Sequence, residues 1–345
     1  GEADMLRRAM SHHRSQDKMN ALRQQFVQGA LDQGVELDIA NQVFDQLAGF
    51  AAYGFCKSHA ASFAKTTYDT LYLRAHYPAE YYCALLNNQP MGFYAPRVIV
   101  RDALRHAVKV RPVHVNRSLY DCTLEEEAIR LGFRYVDGLG EAHAERLLSA
   151  RAAGPFTNLE DFCRRTRLTR RLVENLIMAR AFDDWGIEQR KLVWALGRLH
   201  YQTDELPMPL ADDGVELRAM NEDEQLLQEY GATGVAADGH LMDLYRADLD
   251  RQNVLNSRTL TAARHGATVR VAGMVITRQA PPTAKGFVFI TLEDEWGLLN
   301  VIIRPDVFQG QRSVWRNSLV LMVQGQVQKA SGYINIQAEK GWMLR

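Results

Sequence analysis

Ile129-Arg130-Leu131-Gly132-Phe133-Arg134-Tyr135-Val136-Asp137-Gly138-Leu139-Gly140 decides how this chain is read. Residues 129–136 alternate in the way that predicts a strand. Asp137 to Gly140 predicts a tight turn. Glu141 to Arg151 predicts a helix with Ala144, Leu147 and Leu148 on its inner face. Two glycines thus flank one apolar residue just ahead of a helix N-terminus. Without a Cβ, backbone N–H groups there can approach a ligand closely, and the helix dipole favours an anion. A plain strand–helix turn is the competing reading.

Gly-hydrophobic-Gly before a helix is the helix-hairpin-helix signature, so Gly138, Leu139 and Gly140 are expected at a DNA phosphate. A contact made to the DNA backbone is blind to base sequence. Thr157-Asn158-Leu159-Glu160 reads as a capping box that opens the next helix. Arg164, Arg165, Arg167, Arg170 and Arg171 crowd the corner that follows, and Leu172, Val173, Leu176 and Ile177 mark a helix after Thr169. Such an arginine cluster suits a surface that tracks phosphates. A solvated corner between helices is the alternative.

Upstream, residues 1–48 read as helices. Met19, Leu22, Phe26, Val27, Ala30 and Leu31 form an apolar stripe ended by Gly34. Asp38 can cap a second helix with Ile39, Val43, Phe44 and Leu47 inside. Gly49 to Gly54 leads into Lys57, Ser58 and His59, where Ala60, Ala64, Tyr68, Leu71, Tyr72 and Ala75 repeat at helical spacing. Pro78 ends that pattern. A lysine, a hydroxyl and an imidazole at a helix start favour an anion, although Ser58 as a simple N-cap explains the local pattern. Arg7 and Arg8 are adjacent, so at least one faces solvent. Two guanidiniums can clamp a phosphate in bidentate fashion or form exposed ion pairs. Residues 85–94 end a helix and turn, Val98, Ile99, Ala103 and Leu104 suggest another helix, and residues 108–113 alternate like a short strand.

Apolar content of 47% and charged content of 24% suit a globular chain of two or three domains. No apolar run approaches the roughly 20 residues of a membrane span. Cys56, Cys83, Cys122 and Cys163 lie far apart, which suggests a reducing, cytoplasmic setting and neither a disulfide framework nor a zinc ribbon. The first residues, Gly1-Glu2-Ala3-Asp4, and the last, Trp342-Met343-Leu344-Arg345, read as cut ends, so a fragment is expected. The net charge of zero is segregated: residues 201–262 hold 4 Lys/Arg against 13 Asp/Glu, whereas residues 96–200 hold 19 against 14. Basic blocks flanking an acidic one hint at a polyanion partner for the basic ones.

Residues 202–210 carry two prolines and read as linker, and Met220 to Leu227 opens a helix. Beyond it, residues 268–277, 286–292, 298–303, 319–327 and 333–338 give five strands separated by turn residues. Five short strands in a small basic domain suggest an OB-fold barrel. Phe287, Phe289 and Tyr333 with Arg270, Arg278 and Lys329 could stack and track a single strand there. Glu293-Asp294-Glu295, at a tight turn, reads as solvated acids and not as a metal cluster.

Taken together, GEADMLRRAM, YGFCKSHAASFAKTTYDTLYLRAHYPAEYY, IRLGFRYVDGLGEAHAERLL, FTNLEDFCRR and GFVFITLEDEWGLLNVIIRPDVF resemble, in order, the C-terminal half of the bacterial C-family DNA polymerases, the DNA polymerase III alpha-subunit type. ALLNNQPMGFY followed by DCTLE is similar to the error-prone, damage-tolerant branch. The resemblance implies a multidomain α+β chain: helical fingers (1–95), a helix-hairpin-helix DNA-binding region (96–200), an acidic linker with a helix (201–266) and an all-β OB-fold barrel (267–345). It implies that Arg7, Arg8, Lys57, Ser58 and His59 contact the incoming deoxynucleoside triphosphate, that the hairpin grips duplex and that the barrel nears single-stranded template. Partners implied are primer-template DNA and a sliding clamp or other translesion-synthesis proteins, with no membrane. Mg²⁺ would serve the full-length enzyme through palm carboxylates absent here, so the chain alone is expected to be inactive. Three positions depart from the family pattern: 202–210 matches a clamp-binding peptide poorly, His240-Leu241 stands for His-Pro, and Arg180 stands where glycine is common. A non-catalytic DNA-binding accessory protein and an RNA-binding module are the other readings.

Overall fold

The computed structural model describes residues 16–52, 57–92, 94–201, 215–330 and 332–344, and the chain divides into two compact units, residues 1–75 and 76–345. In the first unit, α1 (Gln16–Asp32) packs along α2 (Leu37–Ala52). The Phe26 and Phe44 rings meet at 5.6 Å, and Arg23 Nη2 bonds Asp45 Oδ1 at 2.7 Å. Ala40 and Phe44 are buried, whereas Ile39 and Val43, expected inside, are exposed. Successive residues stand about 100° apart around a helix, so the face that turns in at 40 and 44 turns 39 and 43 away. α3 (Lys57–His76) is a 20-residue helix with no buried residue. Its apolar stripe forms, but nothing among the described residues covers it: Tyr68 is 69% exposed. Pro78 opens α4 (Pro78–Asn87), where its fixed φ suits the first helical turn.

In the second unit one core runs from Tyr82 to Ala237. It gathers α4, α5 (Pro96–Arg105), α6 (Glu141–Arg151), α7 (Leu159–Thr166), α8 (Arg170–Met178), α9 (Gln189–Arg198) and the end of α10 (Glu222–Thr233) around a small sheet. That sheet has the order β1 (Val110–Arg111), β3 (Ala128–Arg130), β2 (Thr123–Glu125), with β1 parallel to β3. The strand expected over 129–136 stops at Arg130, and Phe133–Tyr135 is a 3₁₀ turn. Gly132 explains the stop. A Cβ there would stand 2.3 Å from the Tyr120 carbonyl oxygen, and the chain bends under that backbone with Phe133 N–H on Leu119 O and Arg134 N–H on Tyr120 O. The N-cap stands one residue later than the expected capping box puts it, and the return bond goes to the residue before the cap. Asn158 is the N-cap, its side chain accepts the Asp161 N–H at 2.9 Å, and the Asp161 carboxylate accepts the Thr157 N–H.

The stretch expected as an acidic linker with a helix holds, in its described part, α10 and α11 (Asp243–Arg251). Met242, Leu249 and Val254 pack with Met274, Val320 and Met322 and so fasten α11 to the outside of the barrel. The barrel closes in the order β4 (Thr268–Gln279), β5 (Val288–Glu293), β6 (Leu298–Ile303), β8 (Tyr333–Met343), β7 (Val320–Ala330). Two short helices, α12 (Pro305–Gly310) and α13 (Arg312–Asn317), join β6 to β7. Trp315 of α13 is fully buried against the barrel interior.

Glu293-Asp294-Glu295 is not a solvated turn. Glu293 is 1% and Asp294 0% exposed. Asp294 accepts from Ser257 Oγ and from the N–H groups of Trp296 and Gly297, Glu293 pairs with Arg105 at 2.6 Å, and Glu295 pairs with Arg246. Partners brought from distant sequence positions bury the acids, which local turn propensity cannot register.

Candidate nucleic-acid interface

The hairpin has the backbone that its glycines suggest. Gly138 sits at φ +75°, a conformation costly for other residues. Gly140 is the N-cap of α6 and has no side chain to cap the first turn, where the His143 N–H already bonds Gly140 O at 3.0 Å and Glu141 stands beside the N–H groups open to an anion. Leu139 is 3% exposed and belongs to the core. Its side chain anchors the turn from beneath, so only its backbone can reach DNA.

The same backbone recurs between α7 and α8. Arg167 at φ +48° takes the place of Gly138, buried Leu168 that of Leu139, and Thr169, an N-cap without a side-chain hydrogen bond, that of Gly140. Val173 and Leu176 are buried as Ala144 and Leu147 are. The missing glycines hid this repeat, although the matched spacing Leu139-Ala144-Leu147 and Leu168-Val173-Leu176 was in the sequence. The two hairpins touch: Asn175 Nδ2 donates to Asp137 O at 2.9 Å, and Arg146 donates to the carbonyls of Thr166 and Arg167.

The arginine cluster splits in two. Arg165 donates to the carbonyls of Ala150, Gly154 and Pro155 and lies 4.5 Å over the Phe156 ring. Arg170 donates to Leu196 O and Leu199 O. These two fasten helix ends and leave little for DNA. Arg164, Arg167 and Arg171 are exposed; Arg164 pairs with Glu160 at 2.6 Å, and Arg171, 83% exposed, lies 3.6 Å from Asp137.

Lys57, Ser58 and His59 form the exposed first turn of α3, where no acidic residue stands, and His59 packs edge-on against Phe63 at 4.6 Å. Arg7 and Arg8 lie outside the described residues, as does Cys56. Cys83, Cys122 and Cys163 are buried thiols, with burial pushing Cys122 and Cys163 up to about 12. Among the described residues no group of three or more His, Cys, Asp or Glu is disposed to hold a metal ion, so these residues do not fit a metal centre.

On the barrel the predicted residues do not share one groove. Phe289 is exposed on β5, opposite Gln279 of β4 and Ile302 of β6. Arg270 lies near the other end of β4, paired with Gln324 of β7 and 6.0 Å from the Trp342 ring, which also receives Lys340 at 5.2 Å. Trp342 and Lys340 escaped notice because the last strand runs to Met343, beyond its expected end at 338. Tyr333 is 71% exposed beside the β7–β8 turn, and Phe287 is half-buried before β5. Arg278 donates to Trp315 O and Ser318 O at the end of α13, and burial lowers its pKa. Lys329 donates to Thr261 O at 2.7 Å. Both cations are thereby engaged within the protein.

Arg97, Arg101 and Arg105, one turn apart on α5, join the hairpin region to the barrel. Arg97 donates to Val275 O, Arg101 to Gly239 O and Glu295 O, and Arg105 to Glu293. Arg180 makes a tie of another kind, to Glu229 of α10 and Asp238 beyond it. It occupies a left-handed position, φ +62°, with Arg180 N–H on Ile177 O and Ala181 N–H on Leu176 O closing α8, a place glycine fills without strain. Its guanidinium meets Asp183 at 2.9 Å, Asp238 at 3.3 Å and the buried Glu229 at 3.6 Å.

A hairpin region followed by a closed five-stranded barrel is a nucleic-acid-binding architecture. A family model described as helix-hairpin-helix motif matches residues 107–192, and one described as OB-fold nucleic acid binding domain matches residues 269–344. The chain is similar in sequence to error-prone DNA polymerases. It is 38% identical to error-prone DNA polymerase 2 of Agrobacterium fabrum over 99% of this chain and 33% of that protein. It is 40% identical to error-prone DNA polymerase of Pseudomonas aeruginosa over 97% of this chain and 33% of that protein. The chain therefore spans about a third of the length of the curated relatives it matches. Among solved structures, asparaginyl-tRNA synthetase from Pyrococcus horikoshii aligns with 27% of this chain and 23% of its own at 21% identity and a TM-score of 0.23.

Proposed function

We propose that this chain is the nucleotide- and DNA-gripping part of an error-prone DNA-directed DNA polymerase, a nucleotidyltransferase of damage-tolerant translesion synthesis, DNA replication and repair. The observation that carries the reading is the 38–40% identity with error-prone polymerases along 97–99% of the chain. The uncapped hairpin at Gly138–Gly140 agrees with it. In this reading residues 1–95 are fingers, and Arg7, Arg8, Lys57, Ser58 and His59 meet the triphosphate of a deoxynucleotide. The hairpins hold primer-template duplex through its phosphates, with Gly138 and Gly140 admitting the backbone and Arg164, Arg167 and Arg171 adding charge. The barrel takes single-stranded template on Phe289 and Tyr333. Mg²⁺ would supply charge stabilisation at the reacting phosphate and would be held by residues other than those described here. A cytoplasmic setting and contact with a sliding clamp or other translesion-synthesis proteins complete the proposal.

Fluorescence anisotropy on the 345-residue chain tests it, with primer-template, single-stranded DNA and RNA titrated at several salt concentrations. The expected results are tightest binding to primer-template, a steep salt slope and no primer extension by the chain alone. Gly140→Val should weaken duplex binding and lower the slope by about 0.9, the share of one phosphate. A Cβ at Gly140 meets nothing within 4 Å, so the variant should fold. An unchanged affinity and slope would remove the hairpin from the interface, and preference for RNA would favour an RNA-binding module.

A further inference from the structure

Beside the hairpin lies a cleft of about 810 Å³, within the range of small-ligand sites, and Gly138, Leu139 and Gly140 form one of its edges. Its other walls include Tyr120, Tyr135, Tyr230, Pro90 and Pro96. Tyrosine and proline rings offer flat, apolar surfaces at the height of a turn whose backbone suits a phosphate. The two charged groups of the cleft already have partners: Arg134 donates to Asn87 O, Gln89 O and Asp121, and Asp137 lies 3.6 Å from Arg171. Tyr135 likewise gives its hydroxyl to Leu86 O at 2.7 Å. Gln89, another lining residue, accepts the Met91 N–H through Oε1 while its Nε2 is buried with no hydrogen-bond partner. A buried amide donor without an acceptor is costly and uncommon.

Flat rings, one spare donor and an adjoining phosphate site describe a nucleobase attached to its own strand. We propose that this cleft takes a single unpaired nucleobase of the DNA gripped at the hairpin. The base stacks against the aromatic wall, and Gln89 swings its buried Nε2 outward to donate to a carbonyl oxygen or ring nitrogen on its edge. A paired base could not enter, so the cleft would favour duplex interrupted by an extrahelical nucleotide. This inference rests on the hairpin binding DNA phosphate.

Two otherwise identical duplexes test it, one perfect and one carrying 2-aminopurine as a single-nucleotide bulge, each titrated with the full chain. The expected preference for the bulged duplex is about tenfold, the scale of one base–aromatic stack, with 2-aminopurine emission quenched on binding. Tyr120→Ala should abolish both the preference and the quenching. Gln89→Leu, which removes the unpartnered donor at similar volume, should reduce the preference with the perfect-duplex affinity unchanged, and circular dichroism checks that both variants fold. Equal affinity for the two duplexes, or a preference that survives both substitutions, would overturn the cleft assignment while leaving the hairpin reading intact. Failure of the wild-type chain to bind either duplex would overturn the hairpin reading and the cleft with it.

Discussion

Arg105→Met removes the charge partner of Glu293, a carboxylate that is 1% exposed. The pair is 2.6 Å long; the Arg101 guanidinium also acts on Glu293 through space, and His240 Nε2 lies 3.7 Å away, beyond hydrogen-bonding reach. Truncating one member of a buried pair strands the other charge in low dielectric, at about 3–5 kcal/mol. The Arg105 side chain is 20% exposed, so some water can reach the gap, and the lower end, about 3 kcal/mol, is expected. Glu293→Met should cost less, because Arg105 keeps Asp102 at 3.4 Å and part of its exposure. The double variant places apolar groups on both sides, which can be nearly neutral. It should therefore be more stable than Arg105→Met alone, with a coupling of at least about 1.5 kcal/mol. Urea unfolding of the four chains, read by tryptophan emission, gives the cycle. An Arg105→Met loss below about 1 kcal/mol, or additive single variants, would refute the claim that this pair clasps the hairpin region to the barrel.

Gly138→Ala should destabilise the fold by about 1–2 kcal/mol in thermal unfolding, since an L side chain at φ +75° is strained and its Cβ would lie 3.3 Å from Leu172. Arg180→Gly relieves a similar strain of about 1 kcal/mol but leaves Glu229, 3% exposed, without its cation, so net destabilisation of about 1–2 kcal/mol is expected. In a Glu229→Gln background the same change should become stabilising, and failure of the sign to reverse would refute that balance. Burial raises the Glu229 carboxyl above its ordinary value of 4.5, against the opposing Ala237 N–H and Arg180. The folded state then holds the proton more tightly than the unfolded state. This contribution to stability is complete below pH 4.5 and is lost as pH rises through the folded value. The melting temperature of wild type relative to Glu229→Gln should thus fall from acid toward neutral pH, and a flat or rising difference would contradict it.

Elements carried by local periodicity were legible in advance. All five barrel strands and the helices after Asp137 and Thr169 stand close to where apolar spacing and glycine turns put them. The hairpin was legible for the same reason: Gly138 and Gly140 act through their own backbone, which is a property of the residue. The strand over 129–136 failed because a long-range approach at Gly132 cut it short.

Side-chain roles that depend on what the fold brings near were a different matter. Arg165, Arg170, Arg278 and Lys329 looked like phosphate ligands, and the tertiary structure turned them onto carbonyl oxygens. Glu293 and Asp294 looked solvated, and Arg105 and Ser257 arrived from elsewhere in the chain to bury them. By itself the sequence determined the periodic elements, the hairpin turn and the likeness to error-prone polymerases. Those rest on backbone geometry and burial pattern, which neighbouring residues set. Only the tertiary structure decided which charges remain free for a ligand, because a charge is satisfied by whatever lies within hydrogen-bond reach, however distant in sequence.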